Sequence, residues 1–200
     1  MPRRPALGPA TAALCALLAL TACQSSPEAG HPNTAPPSVS PTPTAPSTPA
    51  WTPEEQTAIT AAKARYAAIT AAVDLAYGRP AELSRPALEK AGAGSEFIIS
   101  VIDGARTLAR SGWYQTGSTR IASTQITSVK LDGEQPEVNL ANCLDTSKLV
   151  LRFQKDGKPV PVGPGNGNRH KFTSRLVYAP PAPGGKKIWF LVTDKAAGQC

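Results

Sequence analysis

A chain of 200 residues with a formal charge of +7 has room for one folded domain and an extended segment. Its basic residues are scattered and form no recognised nucleic-acid-binding module, which argues against nucleic-acid binding. The sequence also lacks the G-x-S-x-G, H-E-x-x-H, phosphate-loop and calcium-loop motifs, so serine, zinc, nucleotide and calcium chemistry are not indicated.

The N-terminal segment, residues 1–22, has the pattern of a secretory signal peptide. Arg3 and Arg4 precede a run rich in Ala and Leu that is shorter than the roughly 20 residues a transmembrane helix needs. Residues 20–23, Leu-Thr-Ala-Cys, resemble the bacterial lipobox, whose cysteine receives a diacylglyceryl group and becomes the first mature residue. The resemblance predicts lipidation of Cys23; the alternative is an ordinary signal peptide with an incidental cysteine.

A lipid anchor at Cys23 would place the protein outside the cell, on the outer face of the membrane. Two acyl chains suffice for stable attachment, since each buried CH₂ contributes about 0.8 kcal/mol. Loss of residues 1–22 removes two arginines and no acidic residue, which leaves a formal charge of +5. A basic domain in that place would meet anionic lipid and cell-wall polymers and attract them weakly.

Residues 23–51 are dominated by Pro, Ser, Thr and Ala and have no apolar periodicity. Such a composition cannot bury enough apolar surface to offset the entropy of ordering, so it predicts a disordered linker with polyproline II character. At about 3.1 Å per residue, that linker could hold a domain tens of ångströms from the membrane. The folded domain is then predicted over residues 52–200.

The predicted domain begins with helices. Thr52, Pro53 and Glu55 match an N-cap, a first helical position and a capping box. Apolar residues then recur every three or four positions, which predicts one buried stripe made of Ile59, Ala62, Tyr66, Ile69, Val73 and Ala76. Shorter helices are predicted near 86–91 and over 95–111, the second with Phe97, Val101, Ala105, Leu108 and Ala109 facing inward.

From Trp113 onward the pattern is that of antiparallel strands. The segments are short, rich in Val, Ile, Thr and aromatic residues, and separated by turn sequences such as Asp132-Gly133. The predicted strands are 119–131, 136–144, 148–154, 170–179 and 187–194. The last is apolar on both sides, so we expect it in the centre of the sheet. Helices followed by strands predict an α+β domain, with N-terminal helices packed on a curved antiparallel sheet.

Cys143 and Cys200 are the cysteines that remain after Cys23. In an oxidising compartment an even pair predicts a disulfide, which could contribute about 4 kcal/mol by closing a long loop. The alternatives are a zinc site or free thiols. Two isolated histidines and no C-x-x-C spacing argue against a metal, so no metal or cofactor is predicted.

The order of elements resembles the nuclear transport factor 2-like superfamily, a cone-shaped fold, and in particular its lipid-anchored and secreted members in high-GC Gram-positive bacteria. That group commonly carries a C-x-D-x-S-like segment in a mid-sheet strand, a tryptophan in the last strand and a late cysteine. Here these are residues 143–147 (Cys-Leu-Asp-Thr-Ser), Trp189 and Cys200. The resemblance covers residues 53–200. Enzymes of the superfamily, such as ketosteroid isomerases, place an acid or base inside the cone.

Two residues could act inside such a cone. Asp145 would have a raised pKa in an apolar pocket and could move protons; alternatively it ends its strand and accepts hydrogen bonds from the next turn. His170 shares a strand face with Phe172 and could point inward, or lie at a solvated strand end. We favour the structural alternatives. Because a tethered enzyme acting on a diffusible substrate has less need of a long linker, we predict a non-catalytic binding or scaffold module of the cell envelope with an envelope protein partner. The second hypothesis is a binder of small apolar ligands, or an isomerase or hydrolase, that uses the cone cavity.

Overall fold

The computed structural model describes residues 50–161, 163, 168–180 and 184–200. The predicted signal peptide, Cys23 and nearly all of the predicted linker lie outside these ranges. The helices are α1 (Pro53–Gly78), α2 (Arg85–Ala91) and α3 (Ser95–Arg110), with a short 3-10 helix at Pro80–Glu82. The strands are β1 (Trp113–Thr116), β2 (Arg120–Lys130), β3 (Glu137–Asp145), β4 (Val150–Phe153), β5 (Arg169–Ala179) and β6 (Ile188–Gln199). The fold class is α+β, as predicted.

The helix α1 begins where its capping residues predict. The Thr52 hydroxyl accepts a hydrogen bond from the Glu55 backbone N–H at 3.2 Å, and the Glu55 carboxylate accepts one from the Thr52 N–H at 2.8 Å. These reciprocal bonds pair two N–H groups that have no partner within the helix. The predicted stripe faces the core, with Val73 partly buried and the others buried. Among the described helices, none is long and apolar enough to cross a bilayer.

The main sheet has four antiparallel strands in the order β2-β3-β5-β6, and β1 and β4 pair separately. The sequence patterns did not predict β1, and β6 continues to Gln199 instead of ending at residue 194. The register shifts twice along the β2–β3 pair and twice along the β5–β6 pair. Such irregularities increase the local twist of a strand and change which face a side chain occupies.

The strand β6 lies at an edge of the sheet, so the prediction of a central position was wrong. The segment between α2 and α3 covers that edge: the Gly94 N–H donates to the Leu191 carbonyl, and the Leu191 N–H donates to the Gly92 carbonyl, both at 2.8 Å. Ile188 and Phe190 line a hollow beside this segment. The two-sided apolar pattern therefore reflects cover from the α2–α3 segment rather than a neighbouring strand.

Gly94 is required by this close approach. A Cβ atom at this position would overlap the carbonyl oxygen of Leu191, which belongs to the backbone and has little freedom to move. We expect Gly94→Ala to lower the free energy of unfolding by about 2 kcal/mol, measured by urea denaturation, because the segment must shift away from β6. The matched control is Gly133→Ala, where the nearest atoms are 3.9 Å from the added Cβ. Equal stability of the two variants would contradict this account.

The space between the helices and the sheet is filled by side chains. Trp189 of β6 packs on Tyr178 of β5, with ring centroids 5.5 Å apart. The largest side chains that are fully buried include Ile69, Leu88, Ile98, Leu140, Leu176 and Leu191. The helix-facing side of the main sheet is therefore part of the core, and the opposite side is here called the outer sheet face.

Candidate functional site

The structure joins Cys143 and Cys200 in a disulfide, with a Cα–Cα distance of 5.9 Å, as the sequence predicted. Cys143 lies on β3 and Cys200 directly follows β6, so the bond passes across the intervening strand β5. It fixes the end of β6, which would otherwise fray, to the middle of the sheet. The described residues contain no group of three or more His, Cys, Asp or Glu side chains that could hold a metal ion.

Asp145 lies at the end of β3 and is held as a carboxylate. One oxygen accepts a hydrogen bond from the Arg120 guanidinium at 2.6 Å, and the other accepts one from the Ser147 backbone N–H at 2.9 Å. The hydrogen bonds from Ser147, together with the Arg120 guanidinium, hold the pKa of Asp145 well below its usual range. A carboxyl in this state joins the strand end to the turn and to β2, and has no proton to donate near neutral pH.

His170 lies on the helix-facing side of the sheet, where it is half-buried and pairs with Leu144 of β3. Asp145 pairs with Arg169, one position away. Because successive side chains of a strand point to opposite faces, Asp145 and His170 project to opposite sides of the sheet. The structure therefore does not bring the two predicted candidates together.

A chain of polar side chains, which the sequence analysis missed, crosses the helix-facing side of the sheet; Asn142 and Ser174 are buried in it, and Thr124 and Asp194 are partly buried. The Thr124 hydroxyl donates to the Asn142 amide oxygen at 2.7 Å, and the Asn142 amide nitrogen donates to the Ser174 hydroxyl at 2.8 Å. The Ser174 hydroxyl donates to Asp194 at 2.6 Å, and the Tyr66 hydroxyl of α1 donates to the same carboxylate at 3.2 Å. These five residues, here called the inner polar chain, join all four strands of the main sheet to α1.

A signal for part of the inner polar chain was present in the sequence. Asn142 alternates with Leu140 and Leu144 on one strand, and Ser174 alternates with Leu176 on the next. Period-two alternation places each of them among buried apolar side chains. A polar residue in that position needs a hydrogen-bond partner, and the two form that partnership with each other.

Burial controls the electrostatics of the inner polar chain. It raises the pKa of Asp194 to about 6, against the opposing effect of the hydrogen bonds from Ser174 and Tyr66. Burial and the neighbouring carboxylate also raise the pKa of Tyr66 above its ordinary value. Both donors to Asp194 are neutral hydroxyl groups of its own domain. The arrangement ties α1 to the sheet, and it makes Asp194 a group that gains or loses its proton near pH 6.

The outer sheet face carries polar and basic side chains. Its polar stretch includes Ser123, Gln125, Thr127, Asn139, Ala141, Lys171, Thr173, Arg175, Thr193 and Lys195, most of them exposed. Glu137 and Asp145 lie at its two ends, and the apolar Val177, Ile188 and Phe190 lie on the same side of the sheet toward the start of β6. A hollow of about 360 Å³ lies between β2 and β6, and another of about 250 Å³ is bordered by the disulfide. The larger hollow is lined by Thr173 and the smaller one by Ala141, and these two residues pair across β3 and β5. The two hollows are therefore adjacent and follow the strands.

An apolar hollow of about 460 Å³ lies beside the edge of β6, where Ala93, Ile98, Ile188 and Phe190 contribute its apolar lining. Neither Asp145 nor His170 lines it. The hollow could hold a small apolar group, but the two acid–base candidates from the sequence would not reach that group.

The comparisons with known proteins add a distant structural likeness. No protein-family model matches the chain, and no curated protein matches it. Among solved structures, the chain is similar to the intermembrane space region of the chloroplast protein ARC6, with 11% sequence identity and a TM-score of 0.45. The match covers 72% of this chain and 97% of that one. A likeness of this extent carries no statement about activity.

Proposed function

We propose that the chain is a lipid-anchored, extracytoplasmic, non-catalytic binding or scaffold module of the cell envelope, with the outer sheet face as its binding surface. The observation that carries this proposal is the contrast between the two sides of the main sheet. The helix-facing side is filled by core side chains, and the outer side carries a polar stretch with two hollows.

The anchoring part of the proposal rests on the sequence. Residues 20–23 resemble a lipobox, and the Pro-rich residues that follow give a domain the reach to contact a component held away from the membrane. The disulfide supports an oxidising compartment, since such bonds persist mainly outside the cytoplasm. The order of helices and strands supports assignment to the lipoproteins of the nuclear transport factor 2-like superfamily.

Site-specific cross-linking in whole cells tests the binding surface. A photo-crosslinking amino acid in place of Thr173, at the centre of the outer sheet face, is expected to capture an envelope component. The matched control carries the same group in place of Lys63, an exposed residue of α1. Products from both positions alike, or from neither, would contradict the proposal. In the same cells, Cys23→Ala is expected to move the protein out of the membrane fraction.

A second candidate function is the binding of a small apolar ligand in the hollow beside β6, favoured by the side chains of Ile98, Ile188 and Phe190 that line it. This site differs from the cone cavity that the sequence suggested. We expect Phe190→Asp to abolish any increase in melting temperature that a fatty acid causes. An increase that is unchanged in that variant would exclude this hollow as the site.

A further inference from the structure

We propose that the outer sheet face binds an extended anionic polymer of hydroxyl-bearing units, such as a polyol phosphate or an acidic glycan. The inference rests on the proposed function, because it names the partner of the same surface. The charges, their distribution and the side-chain types of that face favour a polymer over a membrane surface or an acidic peptide.

On the outer sheet face, within the part of the chain that the structure describes, every acidic side chain has a cationic partner, but some of the cations have no acidic partner. Its acidic residues lie at the two ends of β3, and each already has a cationic partner. Glu137 accepts from the Arg175 guanidinium at 2.8 Å, and Asp145 accepts from the Arg120 guanidinium. Between them, Lys171 and Lys195 have no carboxylate within ion-pair distance among the described residues. The middle of the face is therefore left with uncompensated positive charge.

The cations are spaced for a chain of anions. Lys195 of β6 lies beside Thr173 of β5, and Thr173 is two positions from both Lys171 and Arg175. With a rise of about 3.4 Å per residue and about 4.8 Å between strands, the Cα atom of Lys195 is about 8 Å from those of Lys171 and Arg175. Of the three cations, Arg175 is the one that is also paired with Glu137. Together with Arg120 and Arg169 beside Asp145, these cations are spread along the face and are not gathered at one point. Such a spread fits anions that repeat along a polymer.

The side chains that lie between the cations of the outer sheet face can donate and accept hydrogen bonds. Hydroxyls come from Thr127, Thr173 and Thr193, and amides come from Gln125 and Asn139. These donors and acceptors match a hydroxyl-bearing backbone. Protein interfaces are enriched in aromatic residues and depleted in lysine, and single-stranded nucleic acid is bound through aromatic stacking. The described stretch of the outer sheet face between these cations has no aromatic side chain; the apolar side chains on the same side of the sheet, Val177, Ile188 and Phe190, lie toward the start of β6.

Binding measurements with charge-reversal variants test the inference. The full chain is purified in a neutral detergent and titrated with poly(glycerol phosphate). We expect binding that weakens with salt, and a loss of about tenfold or more in Lys171→Glu/Lys195→Glu. The control Lys63→Glu/Lys90→Glu makes the same change in net charge on the helices, and we expect less than about a twofold loss there. An equal loss in both variants, or no binding by the unmodified chain, would overturn the inference.

Other probes separate the possible sources of the negative charge. Polygalacturonate tests a carboxylate polymer, poly-glutamate tests an acidic peptide, and phosphatidylglycerol vesicles test a membrane surface. Preference for either hydroxyl-bearing polymer supports the inference, with the stronger one identifying phosphate or carboxylate. Equal or tighter binding of poly-glutamate or vesicles overturns it. If neither hydroxyl-bearing polymer binds, while Cys23 carries lipid and Thr173 still cross-links to a protein, the inference fails and the proposed function stands.

Discussion

Replacement of Asp194 by asparagine is expected to raise the free energy of unfolding at pH 7 by about 2 kcal/mol. Burial raises the pKa of Asp194 from 3.8 to about 6, so the folded state favours the neutral form. A shift of that size corresponds to at most about 3 kcal/mol lost when the group is ionised. Asparagine is neutral at every pH, and its amide can accept from the Ser174 hydroxyl and donate to the Tyr66 oxygen.

The pH dependence follows from the direction of each shift. A raised pKa means that the contribution of Asp194 is full below pH 4 and is lost as pH rises from about 4 to about 6. The pKa of Glu137 is lowered by the Arg175 hydrogen bond, and that of Asp145 is lowered by Ser147 and Arg120. Their contributions are instead lost in acid, below about pH 4.5. The unmodified protein should therefore be most stable between about pH 4 and 5.

Urea denaturation at a series of pH values checks this prediction. The Asp194→Asn variant should lack the decrease in stability between pH 4 and 6 and keep the decrease in acid. Asp103→Asn is the matched control, because the Asp103 side chain is 68% exposed on α3 and should leave the profile unchanged. Lower stability of Asp194→Asn at pH 7, or an unchanged slope between pH 4 and 6, would contradict the raised pKa of Asp194.

Removal of the disulfide has the largest expected effect on stability. The bond joins residues separated by 57 positions, and closing a loop of that length contributes about 4 kcal/mol in the chain-entropy model. We expect Cys143→Ala/Cys200→Ala to lose most of this amount in urea denaturation. The end of β6 should also become more accessible to protease, since the bond fixes it across β5.

Reduction provides a control that changes no side chain. The unmodified chain in excess dithiothreitol should match the double variant, and the double variant should not respond to the reductant. If the double variant were as stable as the oxidised chain, the β5–β6 pairing alone would hold the strand end, and the disulfide would have no measurable role in stability.

The helices were predictable because their signals are local. The capping box at Thr52 and the spacing of the α1 stripe follow from contacts within a single helix. The sheet was less predictable, because an apolar pattern on both sides of a strand means cover from both sides and does not identify the cover. For β6 that cover is the Gly92–Gly94 segment, a contact between residues about a hundred positions apart in the chain.

Asp194 of the inner polar chain also could not be predicted from local sequence patterns. Strict alternation from Trp189 and Leu191 would put Thr193 on the helix-facing side and Asp194 outside. A register irregularity reverses this: Leu176 pairs with Leu191, but Arg175 pairs with Thr193, so Val192 is an extra residue. Asp194 is thereby turned inward toward Ser174 and Tyr66. No local sequence pattern indicates that bulge, so the partly buried carboxylate of Asp194 was not predicted.

The intact mass of the native protein, with and without reduction, tests the central claim that this is an anchored, disulfide-closed module. The account predicts a chain that begins at Cys23, carries the added mass of diacylglyceryl and acyl groups, and gains the mass of two hydrogens on reduction. An unlipidated chain that begins at another residue, or a mass that does not change on reduction, would contradict it.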